Sequence, residues 1–315
     1  TSNLAEYPNV GGGGMACLMS SPLLVNCILT GNRALRWGGG LFCWDSSPVL
    51  IHCTVQANSV LYSNYRAGNL YALCSVYPTR PVVANSAIAL GGARLGPEVW
   101  LQGNARLSVE HTYIEGGWDQ VLADPAHDSR IEQGPGNLTG AQVRAFPLAP
   151  DGHLRARAAL IGAGTPWPGV LTDIDGEPRG SDRVDIGADQ FIDTDADDLP
   201  DWWEATYFGG PTGSLPDADP DADGLCNGDE YTLYSSHPAR TPIWVDPVAG
   251  DDSLVGTRIS PKRTVQAALD AAVDGDTVHL VSGTYAGVGN RDLDTRGKAV
   301  VVLGDGPGTT TLDCG

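Results

Sequence analysis

Two twelve-residue acidic stretches carry the most specific chemistry in the sequence. Asp219-Pro220-Asp221-Ala222-Asp223-Gly224-Leu225-Cys226-Asn227-Gly228-Asp229-Glu230 fits the calcium-loop pattern D-x-D-x-D-G-x5-E. Calcium is a hard cation that takes about six to eight oxygen ligands. A loop wrapped around the ion brings Asp219, Asp221 and Asp223 together. Gly224 supplies the sharp turn, Leu225 its backbone carbonyl, Asn227 a ligand directly or through water, and Glu230 two closing oxygens. The sister stretch offers Asp193, Asp195, Asp197, Leu199, Asp201 and Glu204, but Asp198 stands where glycine is usual. A left-handed turn is costlier there, though open to Asp. A helix over 201–208 should follow, with Trp203 or Phe208 packing between the loops. The competing reading is a solvated acidic linker; two full-length matches favour Ca2+. Without an ion, about ten carboxylates within about forty residues repel one another. The expectation is therefore a hinge at 193–240 that calcium stiffens.

The aromatic and acidic residues before the hinge suggest a second chemistry. Trp37, Trp44, Asp45, Tyr62, Tyr65 and Tyr71 form a candidate ligand-binding set, because aromatic faces stack on sugar rings; ordinary loop packing is the alternative. Asp45, Glu98, Glu110 and Glu115 are acids, His52 and His111 bases, and Arg33, Arg36, Arg66 and Arg80 nearby cations. A glycosidase needs two carboxyls about 5–9.5 Å apart. No such pair recurs on one face, so no catalytic residue is assigned. Asp173 and Asp175 lack further ligands in sequence and read as a turn.

These residues must be positioned by a repeat. GGGMACLMSSPLLVNCILTGNRA, from Gly12, returns as GGGLFCWDSSPVLIHCTVQANSV, from Gly38, at an offset of 26. Short alternating apolar runs separated by turns at a fixed period indicate a solenoid. The fold class is all-β, a right-handed parallel β-helix over 1–117. Parallel strands about 4.8 Å apart would set Cys17 under Cys43 and Cys27 under Cys53. Side-by-side Cβ vectors fit disulfides poorly, so buried thiols are favoured over bridges. Pro22 and Pro48 belong in turns. The triple glycines permit close approach between rungs, and Asn32 and Asn58 are expected at left-handed corners. A third rung matches Pro81–Ile88 to Pro48–Val55 at a shift of 33, which implies an inserted loop around Tyr62–Asn69. A fourth covers 99–117. Residues 118–192 lack the repeat and are expected to cap the exposed end. Residues 241–315 read as strand, amphipathic helix (Val265, Ala268, Leu269, Ala272 and Val273 on one face, Thr264 as N-cap, Gly275 as stop) and further strands.

The rungs resemble right-handed parallel β-helix repeat proteins, of the pectin lyase-like kind, from exported and surface-attached bacterial polypeptides. TDIDGEPRGSDRVDIGADQF resembles their choice-of-anchor Q region, and the acidic loops resemble thrombospondin type 3 and dockerin-like calcium repeats. Residues 241–315 resemble the N-terminal cap and first rung of a second β-helix; in an alternative packing they dock on the open end of the first. The resemblance implies a secreted or envelope-attached bacterial protein, with polysaccharide binding or adhesion as its role. A lyase or hydrolase of the same class, and a structural spacer, are the alternatives. The chain begins and ends within repeats, so it reads as part of a longer multi-domain protein. Its net charge of −19 disfavours nucleic acid and anionic membrane surfaces. No apolar run is long enough to insert in a membrane.

Overall fold

The structure, a computed structural model, describes residues 3–5, 11–61, 66–93, 98–139, 143, 147–149, 151–221, 225–231, 241–306 and 308–313. The chain divides into two compact units, 1–192 and 193–315. Unit 1 is a parallel β-solenoid, with three five-stranded sheets along its length. The first stacks Met15–Leu18, Leu41–Trp44, Leu70–Leu73, Val99–Gln102 and Val121–Ala123. The second stacks Leu23–Val25, Val49–Ile51, Val82–Ala84, Arg106–Glu110 and Arg130–Gln133. The third stacks Ile28–Thr30, Thr54–Gln56, Ala87–Ala89, Tyr113–Ile114 and Leu138–Thr139.

Period-two alternation points one residue in two into the bore. Met15, Leu41, Leu70, Val99 and Val121 lie in one register line, and Cys17, Cys43, Ala72 and Leu101 in another. Leu24, Leu50, Val83 and Val109 form a third line, and Leu29, Val55, Ile88 and Ile114 a fourth. These residues make one continuous core. Full burial of such a side chain stabilises by about 1.5–3 kcal/mol. Cys17 and Cys43 are buried thiols in register, Cys27 and Cys53 stack likewise, and among the described residues none is bridged.

Several expectations need correction. The seven-residue insertion is not one loop. The offset rises to 29 where Leu41 meets Leu70 and to 33 where Val49 meets Val82, so the extra residues are split between the two turns. The pairing continues past residue 117 into a fifth coil, whose Arg130, Glu132 and Gln133 are exposed and hid it in the sequence. Asn32 and Asn58 do not occupy left-handed corners. Those belong to Met19 and Asp45 in one turn and to Asn26, His52, Asn85 and His111 in the next.

Asn32 and Asn58 instead build a buried amide ladder. Asn3 Nδ2 donates to Asn32 Oδ1 at 3.2 Å, Asn32 Nδ2 to Asn58 Oδ1 at 3.0 Å, and Asn58 Nδ2 to Asn69 Oδ1 at 2.8 Å. Asn69 Nδ2 then donates to Glu98 Oε2 at 2.6 Å, while Gly91 N–H donates to Glu98 Oε1. The triple glycines make room for this. A Cβ on Gly40 would lie 2.8 Å from Asn58 Nδ2, and one on Gly39 2.4 Å from Ser59 N.

Within the expected closing module, residues 147–149 and 151–191 lie on the flank of the solenoid. They form a strap along the third sheet, where Leu148, Leu154, Leu160 and Ile186 pack with Ala87, Ala89 and Tyr113.

In unit 2, helix α1 (Asp201–Phe208) follows the first acidic loop and α2 (Asn227–Asp229) lies in the second. Helix α3 (Val265–Ala271) is capped by Thr264, whose side chain accepts from Ala267 N–H. Its Val265, Ala268 and Leu269 are buried with Val245, Val278 and Leu280, whereas Val273 is exposed, lying beyond the helix end. Ile243–Val245, Thr277–Leu280 and Val301–Gly304 pair in parallel, as do Gly283–Ala286 and Thr310–Asp313. The stacking within unit 2 is thus parallel, as in a solenoid.

Burial pushes the Glu98 carboxyl up to about 7. A folded-state value above the unfolded one means that the folded chain holds the proton more tightly. That stability is complete below about pH 4 and is lost as pH rises towards 7. Wild type should therefore lose on the order of 2 kcal/mol relative to Glu98→Gln between pH 4.5 and 7.5. Denaturant unfolding of both proteins across that range measures the difference.

Candidate functional site

The first acidic loop folds around its leading carboxylate. Asp193 Oδ1 accepts N–H groups of Ala196 (2.7 Å) and Asp197 (3.3 Å), and its Oδ2 accepts that of Asp198 (2.9 Å). Ala196 and Asp198 adopt φ values of 61° and 78°, so Asp198 does take the left-handed turn expected of glycine. Asp197 Oδ1 accepts Leu199 N–H, turning the loop into the buried Leu199. Both Asp201 oxygens accept from Thr194, Oδ1 from its backbone N–H at 2.7 Å and Oδ2 from its hydroxyl at 2.6 Å.

The side chains of Asp193, Asp195 and Asp197 bring oxygens within 4.8 Å of one another. Glu204, on α1, is fully buried. Its Oε1 accepts Ser214 N–H, while its Oε2, like Asp197 Oδ2, is buried and accepts no hydrogen bond. Burial, with Asp197 and Asp195 adding, raises the Glu204 carboxyl; burial and the neighbouring carboxylates likewise raise Asp197. Buried carboxylate oxygens without donors, beside like charges, are the arrangement that a divalent cation relieves.

In the second loop, Asp223 lies outside the described residues. Leu225, Asn227 and Glu230 are buried. Asn227 Nδ2 donates to Leu215 O at 2.9 Å and to Ser214 Oγ, and its backbone N–H donates to Ala218 O. Asn227 thus ties its loop to the chain leading into it. Asp219 and Asp221 stand at its start, half-exposed or exposed. Trp203 packs between the loops as expected, with its ring centroid 6.0 Å from Tyr231 and 5.7 Å from Phe208.

The candidate ligand-binding set separates. Trp37 and Tyr71 belong to a packed aromatic cluster with Phe42, at centroid distances of 6.0 and 5.6 Å from its ring. Arg66 lies 3.9 Å over Trp100 in the same cluster. Tyr62 and Tyr65 lie outside the described residues. Trp44 and Asp45 line a different feature, an apolar groove of about 270 Å³ with Leu18, Met19, Val76 and Tyr77. Asp45 is buried there, and its Oδ1 accepts N–H groups of Ser75 (2.6 Å) and Val76 (3.0 Å). That carboxylate shapes the turn presenting Val76 and Tyr77; the repeat hid this because Met19 occupies its place one coil earlier. Glu115 similarly accepts Leu90 N–H, and His52 is buried and neutral, pushed down to about 3 by burial. Glu110 and Glu132 share a shallow concavity on the second sheet, where Ser108 and Arg106 engage Glu132.

The strap adds a cluster that sequence spacing did not reveal. Arg179, buried, donates to the carbonyls of Gly187, Ala188 and Asp189 and to Asn26 Oδ1. His153 sits between Asp151 (3.1 Å) and Asp175 (2.9 Å). Burial opposes charge on the imidazole, but the two carboxylates outweigh it and push it up to about 10.

No protein-family model matches the chain, nor does any curated protein or solved structure. Among the described residues, no helix is long and apolar enough to cross a membrane. The class that geometry defines is a parallel β-solenoid, joined in one chain to a compact pair of acidic loops.

Arg179 reaches four oxygens on the strap and coil with a planar fork that lysine lacks. Arg179→Lys should cost about 2–3 kcal/mol in denaturant unfolding and speed amide exchange at 184–190 in particular.

Proposed function

We propose that the chain is a non-catalytic module of an exported bacterial surface protein, in which paired calcium loops stiffen the segment between two β-solenoid parts. The observation that carries the reading is the first acidic loop. Asp193, Asp195 and Asp197 converge, and the buried Asp197 Oδ2 and Glu204 Oε2 lack donors. Those residues stand at loop positions 1, 3, 5 and 12, the side-chain positions a calcium loop uses. The resemblance to thrombospondin type 3 and dockerin-like repeats, and to the choice-of-anchor Q region, supports placement at the cell envelope.

The displayed surface is assigned to glycan binding through the groove at Trp44 and Tyr77. Trp44 is 40% and Tyr77 57% exposed, enough for an aromatic face to stack on a sugar ring. The groove holds one carboxylate, Asp45, already engaged by backbone N–H groups. That arrangement favours binding over cleavage. The hydrolase or lyase alternative would rest on Glu110 and Glu132, which share one concavity.

Chelator should lower the melting temperature and open 209–218 to protease, and calcium should restore both. Unchanged proteolysis in chelator would remove the calcium reading. On a panel of acidic and neutral polysaccharides, the chain should be retained without new reducing or unsaturated ends, and Trp44→Ala should weaken retention about tenfold, the loss of one stacked ring at roughly 1.4 kcal/mol. New ends would instead support the enzyme, and neither outcome would leave a spacer.

A further inference from the structure

The strap holds a second group of carboxylates, apart from the acidic loops. Asp173, Glu177 and Asp189 each bring an oxygen within 4.8 Å of the others. Asp173 builds the turn: its Oδ1 accepts N–H groups of Asp175 and Glu177, both at 2.9 Å, and its Oδ2 accepts that of Gln190. Asp189 is 1% exposed. Its Oδ2 accepts Leu154 N–H at 2.8 Å, while its buried Oδ1 accepts no hydrogen bond.

The neighbouring cations, Arg179 and His153, act on Asp189 through charge but do not hydrogen-bond its Oδ1. Arg179 directs its two terminal nitrogens at the carbonyls of Gly187, Ala188 and Asp189 and at Asn26 Oδ1, none of them a carboxylate oxygen. His153 pairs through its two ring nitrogens with Asp151 and Asp175. Its commitment to those carboxylates also sets aside the alternative trio of His153, Asp175 and Asp189 as a nitrogen-containing metal site. What is left is oxygen-only and negatively charged. Such a donor set suits calcium; softer transition metals favour nitrogen and sulfur, and magnesium is seldom caged by protein oxygens alone.

We propose that Asp173, Glu177 and Asp189 bind a calcium ion that clamps the strap onto the solenoid. The three ligands come from two separated segments. Asp173 and Glu177 sit in a small hairpin closed by the Thr172–Pro178 bridge. Asp189 follows Ala188, whose N–H donates to Thr54 Oγ1 on the third sheet. An ion shared between them fixes the hairpin to the segment already docked on the coil, and gives the buried Asp189 Oδ1 the direct partner that no hydrogen-bond donor supplies.

The test uses the full chain. Equilibrium dialysis with calcium counts bound ions, and hydrogen exchange follows the amides of 172–190. Asp189→Asn and Glu177→Gln should each bind one ion fewer than wild type. In wild type, calcium at ten times its dissociation constant should slow exchange of those amides by about tenfold. Asp193→Asn with Asp219→Asn, which disables the acidic loops, should lower the ion count while leaving calcium protection at 172–190 intact, so failure there is separable from failure at the strap. The proposal is overturned if both strap variants bind as many ions as wild type, if calcium leaves exchange at 172–190 unchanged in wild type, or if that protection vanishes with the loop variants.

Discussion

Everything in the solenoid follows from one constraint. A residue at a given place in one coil lies against the residue at the same place in the next, so whatever is buried must be able to pair with a copy of itself. Aliphatic side chains do this by contact, as the Leu24–Leu50–Val83–Val109 line shows. Among polar residues the rule is stricter. An amide satisfies it because it both donates and accepts; that is why Asn32 and Asn58 can be buried in a stack, with glycines beside them giving up their side chains to allow it. A carboxylate cannot stack on itself, and where the line reaches Glu98 it is fed by N–H donors on both oxygens.

This constraint also decides how much of the fold was legible in the sequence. The repeat exposed the positions that self-pair: Cys17 with Cys43, Leu24 with Leu50, the glycines. It misled on Asn32 and Asn58, because a corner asparagine and a ladder asparagine look alike in sequence and only the donor partners separate them. Asn69 continues the ladder although it lies 11 residues from Asn58, not 26, since the chain reaches the same axial line from the other side of the turn. The fifth coil was invisible because the end of a solenoid has fewer neighbours to satisfy, and Arg130 to Gln133 are largely exposed there. In the acidic loops local chemistry is ordered along the chain, so Asp193, Asp195, Asp197 and Glu204 could be read directly. In the strap it is not. Glu177 and Asp189 meet only because the hairpin and the 184–190 segment are laid side by side, and no spacing rule announces that.

The strap further shows how a solenoid flank becomes a binding partner for its own chain. The left-handed corner residues Asn26, Asn85 and His111 turn polar atoms outward, and strap groups meet each of them: Thr172 O and Arg179 at Asn26, Thr165 at Asn85, Ala163 O at His111. Strain accepted at a corner thus returns as docking contacts. The apolar outer residues Ala87 and Ala89 are small, which lets Leu148, Leu154 and Leu160 approach the sheet closely.

The asparagine ladder has a direction. Every amide from Asn3 onward donates towards the later coil, and the series stops at a carboxylate, which when ionised has nothing to donate. Extra coils copied from the asparagine-bearing repeats can therefore enter before Glu98 with each new amide finding a donor on one side and an acceptor on the other. A coil of the same kind placed after an ionised Glu98 would present an amide acceptor that Glu98 could not supply with a donor. While Glu98 is ionised, this amide line is open to lengthening by duplication on one side only.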